Sequence, residues 1–147
     1  MPFVLDNSVV CGWLLQDQAS AYADAIAQRL ESDRAVAPPL LHLEYANVLR
    51  TACMRGRLIA QQAQQAIHHI QQLPIDTDVQ PAKPGELLAL ALRHGLTVYD
   101  AVYLDLALRR QLPIATLDVA LADAAWAAGV GVVAAEARTD EASRPQG

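Results

Sequence analysis

Five short segments, Phe3–Leu5, Ala35–Ala37, Ile75–Thr77, 114–116 and 131–133, read as strands because they are brief, apolar and rich in β-branched residues. They lack the apolar/polar alternation of a strand with one wet face, so they are expected to be covered on both sides. Helical periodicity fills the gaps, over residues 9–15, 19–31, 40–55, 59–73, 85–94, 100–111 and 119–128. Strands alternating with helices predict an α/β chain: a three-layer α/β/α sandwich around a mainly parallel five-stranded sheet. Punctuation supports the boundaries. Pro38-Pro39 opens the third helix, Gly56 stops it, Gly95 closes the fifth and Pro113 opens a strand. The glutamine-rich helix carries an apolar stripe of Ile59, Ala63, Ile67, Ile70 and Leu73, the pattern of an amphipathic surface helix.

The chain has 147 residues, enough for one domain with one core. We place that domain at residues 1–135 and expect the polar segment 136–147 to be a disordered tail. Hydrophobic residues make up 53% of the chain, above the usual 45–50%, which implies a well-covered sheet, an adhesive partner surface, or both. No basic stretch precedes a long apolar core, so a signal peptide is not expected, and no apolar run is long enough for a membrane span. Cys11 and Cys53 lack CxxC spacing and read as buried free thiols of a cytoplasmic protein.

Four acids stand where apolar or neutral residues are usual. Asp6 ends the first strand, Asp118 follows the fourth, Asp100 opens a helix, and Glu44 shares a core-facing stripe with Leu41, Tyr45, Val48 and Ala52. Each has an ordinary reading. Asp6, Asp100 and Asp118 could cap helices, and Glu44 could pair with an arginine, although Arg50 and Arg55 point elsewhere around its helix. Taken together, strand ends of one sense lie along one rim of a parallel sheet, where the acids can converge. A carboxylate near apolar surface is costly without a positive partner, and oxygen-only ligands select Mg²⁺ or Mn²⁺. The formal charge of −5 speaks against a nucleic-acid partner at first sight, but removing the four acids leaves −1. Ser8, Asn47 and Thr116 could support the acids, and Arg50, Arg55 and Arg57 could contact phosphates or simply end a solvated helix. His42 lies on a different helical face from Glu44, His68 and His69 face solvent, and Trp126 reads as core. The apolar first helix with Trp13 and Leu14 reads as core or as a partner interface.

The segments Val4-Leu5-Asp6-Asn7-Ser8, Glu44-Tyr45-Ala46-Asn47, Tyr99-Asp100-Ala101-Val102-Tyr103-Leu104 and Ala115-Thr116-Leu117-Asp118, in this order, resemble those of PIN-domain ribonucleases, specifically VapC-type toxins. The resemblance implies a Mg²⁺-dependent endoribonuclease, with Mn²⁺ as a substitute, acting on structured RNA of the tRNA or rRNA class. It implies Asp6 and Asp100 as main metal ligands, with Glu44 and Asp118 completing the pocket. It also implies a homodimer silenced by a cognate antitoxin protein. Asp105 departs from the family pattern and is expected to be peripheral. A housekeeping RNA-processing nuclease and a non-catalytic partner-binding module of the same fold are the alternatives. A haloacid-dehalogenase-type phosphatase needs an acid where Ser8 stands. A response-regulator receiver needs a lysine beside its acids, and the chain's one lysine, Lys83, precedes Pro84-Gly85.

Overall fold

A computed structural model describes residues 1–134; the predicted tail lies outside them. Four strands, β1 (Phe3–Leu5), β2 (Ala35–Ala37), β3 (Ile75–Thr77) and β4 (Ile114–Ala115), form a wholly parallel sheet in the order β3-β2-β1-β4. The fifth predicted strand is reduced to a single parallel bridge between Ile114 and Val132. Its backbone makes two bonds, Ile114 N–H to Gly131 O and Val133 N–H to Ile114 O. Gly131 has a positive φ of 77°, so the chain turns out of extended geometry just where a longer strand would begin.

Among the described residues seven α-helices surround the sheet: α1 (Asn7–Leu14), α2 (Ala21–Arg29), α3 (Pro39–Met54), α4 (Ala60–Gln71), α5 (Pro84–His94), α6 (Val98–Arg110) and α7 (Val119–Ala127). They pack in two groups. In one, α1 rests on α2 and α3, and α3 on α4; in the other, α6 joins α5 and α7 and lies on β1 and β4. This is the expected sandwich. Gly12 is where α1 meets α2 most closely, since a Cβ there would stand 2.7 Å from that of Ala23. No single described helix is long and apolar enough to cross a membrane.

The core is built from β1, β2 and β4 and the inner helix faces, with Phe3, Val4, Leu5, Leu41, Tyr103, Leu104 and Ile114 all fully buried. Several expectations differ at its margins. β3 is an edge strand rather than a doubly covered one; its Asp76 is exposed and takes two bonds from Arg34, at 2.8 and 3.0 Å. Trp126, expected in the core, is 65% exposed, because it sits in the last turn of α7 and lies across the bare backbone of Gly131. Cys11 is buried, but Cys53 only partly so. On α4 the stripe buries Ala63 and Ile70, while Ile59 precedes the helix and is exposed. Asp78, which follows β3, is buried and holds both Arg109 and Arg110 of α6 at 3.0–3.3 Å, fastening that edge to the C-terminus of α6.

Candidate active site on the sheet rim

Strand order fixes where a ligand can be met. From β1 the chain winds outward through β2 to β3, then returns to place β4 on the other side of β1. The crevice between β1 and β4, at their C-terminal ends, is therefore the topological switch point at which parallel α/β sheets bind ligands. Asp6 and Asp118 leave the sheet at that crevice.

The register determines what surrounds Asp6. Leu5 pairs with Ala115 and the Asp6 N–H donates to Ala115 O at 3.1 Å, so the next residue on β4, Thr116, stands beside Asp6. The Thr116 hydroxyl donates to Asp6 Oδ2 at 2.8 Å, and the Ser8 hydroxyl donates to the same oxygen at 2.7 Å. Each hydroxyl also accepts a backbone N–H, Thr116 from Asp118 two residues on at 3.0 Å and Ser8 from Leu117 across the crevice at 2.8 Å. A hydroxyl has one proton, and both protons are spent on one carboxylate oxygen. That arrangement suits an ionised Asp6, which can only accept. Among the described residues no side chain donates to its other oxygen. Asp6 also caps α1 through the Ser8 N–H, so the capping reading and the site reading hold together.

Glu44 lies on α3, half-buried, and accepts a hydrogen bond from the fully buried Tyr103 of α6 at 2.5 Å. The sequence offered Asn47, one turn beyond Glu44, as a support for the acids. In the fold Tyr103 takes that role, while Asn47 is exposed. The signal was present, because Tyr103 lies three residues beyond Asp100 on α6 and so shares its face. Asp100 is the third residue of α6 rather than its first, with Thr97 as the N-cap. Asp118 caps α7 through one oxygen, Oδ1, which accepts the Leu121 N–H at 3.2 Å.

Glu44 and Asp100 feel the charges of neighbouring acids. Burial raises the pKa of Asp6 above the usual carboxylate range, against the lowering pull of Ser8 and Thr116. Burial raises Glu44 as well; the Tyr103 bond lowers it, and the charges of Asp6 and Asp100 raise it further. Asp100 is raised by burial and then by Asp118 and Asp6. Cys11, buried close by, is pushed up to about 11 by burial and by the charges of Asp6 and Glu44, which leaves it an inert thiol. No lysine or arginine among the described residues forms a salt bridge with any of the four acids. Asp105 by contrast pairs with Arg109 at 3.0 Å. His42 bonds Tyr45 and Thr77 and has no part in the rim.

Among the described residues no three His, Cys, Asp or Glu side chains are gathered closely enough to hold an ion as they stand. What fits a divalent cation is the donor chemistry. All four groups are oxygen donors, and among the described residues none has a salt-bridge partner, while Asp6, Glu44 and Asp118 are each anchored through one oxygen with the other left without a side-chain donor.

Two consequences can be measured. Removing the Tyr103 hydroxyl in Tyr103→Phe leaves Glu44 free to rotate, at a cost of about 1 kcal/mol in stability. Mg²⁺ affinity by titration calorimetry should fall several-fold, and an unchanged affinity would show that Tyr103 does not set Glu44. The second concerns pH. Asp6, Glu44 and Asp100 keep their protons to higher pH folded than unfolded, so the folded state binds more protons across that interval and stability falls as pH rises through it. Asp78 acts oppositely: burial opposes its charge, but Arg109, the Gln80 N–H and Arg110 outweigh that and lower its pKa, so its contribution is lost as pH falls. In EDTA, Tm should therefore decline from mildly acidic solution towards neutrality, and Asp100→Asn should flatten the decline. A Tm that rises over this interval would contradict the coupling of the acids.

A parallel sheet with acids at its switch point defines the class of α/β domain that meets ligands along one rim. The family model for the PIN domain matches residues 3–127, and the chain belongs to that family, whose fold is generally that of a nuclease. Comparison with curated proteins finds no match. Among solved structures the chain is similar to the crystal structure of PAE2754 from Pyrobaculum aerophilum, with 21% identity, a TM-score of 0.68 and coverage of 98% of this chain and 97% of that one. At that identity the likeness concerns the fold.

Proposed function

We propose that the protein is a Mg²⁺-dependent endoribonuclease that acts as the toxin of a toxin–antitoxin pair and cleaves structured RNA of the tRNA or rRNA class. The observation that carries this reading is the acidic rim: the charges of neighbouring acids raise Glu44 and Asp100, and among the described residues no basic side chain forms a salt bridge with Asp6, Glu44, Asp100 or Asp118. When bound, the metal would neutralise phosphate charge and make water a nucleophile near neutral pH. Asp6, Glu44, Asp100 and Asp118 would hold it. Ser8 and Thr116 favour the ionised form of Asp6 against its burial and aim it by donating to one of its oxygens, and Tyr103 does the same for Glu44. The switch-point crevice brings the RNA backbone against these groups.

A homodimer and a cognate antitoxin belong to the same proposal. Its support is apolar surface: Leu88 and Leu92 on α5 are exposed, and the partly buried Trp13, Leu14 and Leu73, packed against the core, line an open groove. Partners that cover such faces bury large apolar side chains.

The test is to incubate antitoxin-free protein with total cellular RNA in Mg²⁺, in EDTA, and as Asp100→Asn. Discrete fragments only from the wild type in Mg²⁺ are expected. No cleavage in any condition by demonstrably folded protein would overturn the nuclease reading in favour of a binding module.

A further inference from the structure

On α3 the buried stripe is Leu41, Tyr45, Leu49 and Ala52. A second stripe carries Glu44, then Asn47, Thr51 and Arg55 at three- and four-residue spacings, which puts them along one side of the helix; Arg55, expected to point elsewhere, is three turns beyond Glu44 and so returns to its side. From Glu44 to Arg55 the helix rises about 16 Å. Beyond Glu44 this stripe is one wall of an open cleft of about 210 Å³, and Asp17 and Gln18 form the opposite wall. Asn47, Thr51 and Gln18 present neutral polar groups, and Arg55 ends the run at the C-terminus of α3. Among the described residues Arg55 has no carboxylate partner. Arg57, after the Gly56 turn, is held at the mouth by Asp17 at 3.0 Å, in a pair whose members are both more than half exposed. Such an exposed pair is weak, so a competing anion can draw Arg57 away.

We propose that this cleft is a subsite for the RNA backbone: the strand leaving the acidic rim runs along Asn47 and Thr51 and sets a phosphate on Arg55. The proposal rests on the nuclease reading and names where its substrate lies. Neutral hydrogen-bonding side chains followed by an arginine are the usual furniture of phosphate and sugar contacts, and they begin one turn from Glu44. Asp17 then acts against binding, because its charge sits on the cleft wall and occupies Arg57.

Binding is measured in EDTA by fluorescence anisotropy, using a labelled single-stranded RNA of about 12 nucleotides, within the usual range of single-strand sites, with its length checked by gel. Arg55→Ala should weaken binding about fivefold and lower the slope of log Kd against log salt by about 0.7, one phosphate contact on a single strand. Arg93→Ala, the same charge change on α5, should leave both unchanged. Asp17→Asn should tighten binding several-fold, and Asp24→Asn, an exposed acid on α2, should not. Equal effects of Arg55→Ala and Arg93→Ala, or of Asp17→Asn and Asp24→Asn, would overturn the proposal, since only net charge would then matter. Poly-glutamate bound as tightly as RNA with the same Arg55 dependence would also overturn it and give the cleft to an acidic protein segment. Because binding is read without metal, loss of the Arg55 dependence leaves Mg²⁺-dependent cleavage standing. Failure of cleavage, in turn, leaves the binding result intact.

Discussion

Asp6→Asn should abolish RNA cleavage, a loss of at least about 10³-fold, corresponding to about 4 kcal/mol of lost stabilisation in the transition state. The substitution keeps the shape of the side chain, so the reason is chemical. Ser8 and Thr116 both donate to Oδ2 of Asp6, and an asparagine must turn its carbonyl oxygen towards those two hydroxyls. Its amide NH₂ then faces the rim, where it is a donor rather than a ligand. Removing one charge also eases the repulsion on Glu44 and Asp100, so the variant should fold, with a cooperative thermal transition close to that of the wild type. Cleavage at the normal rate by Asp6→Asn would remove Asp6 from the metal set and with it the proposed mechanism.

Mg²⁺ should stabilise the protein strongly. The acids of the rim repel one another in the absence of a cation, and an ion that binds the folded state but not the unfolded chain adds RT ln(1 + [L]/Kd). At a hundredfold excess over Kd this is about 2.7 kcal/mol, or about 5–10 °C in Tm for a chain of this size. Sodium chloride at matched ionic strength should give a small shift, because screening acts mainly on exposed charges, whereas Asp6 is only 4% exposed. Asp100→Asn should raise Tm in EDTA and blunt the response to Mg²⁺. A response to Mg²⁺ that matches sodium chloride, or that survives Asp100→Asn in full, would show that the rim does not hold the ion.

The order of strands and helices, the sandwich and the places of Asp6 and Asp118 after strands β1 and β4 were legible in the chain. Short apolar strands without alternation must be covered on both faces, and helices between them enforce parallel crossovers. Those are local patterns with one economical solution, and they hold for β1, β2 and β4. β3 escaped them because an edge position is a property of the whole sheet: among the described residues no further strand covers β3, so Asp76 stands in water beside Arg34. Trp126 escaped for a similar reason, since its resting place is the backbone of Gly131 beyond its own helix.

By itself the sequence determined that acids would stand at the ends of parallel strands, because strand ends and helix starts are written in local composition. Only the tertiary structure decided which groups serve them. The pairing of Leu5 with Ala115 sets Thr116 against Asp6, and the meeting of α3 with α6 sets Tyr103, rather than Asn47, on Glu44. Register and helix packing are contacts between residues far apart in the chain, and periodicity, which reports only on near neighbours, does not encode them.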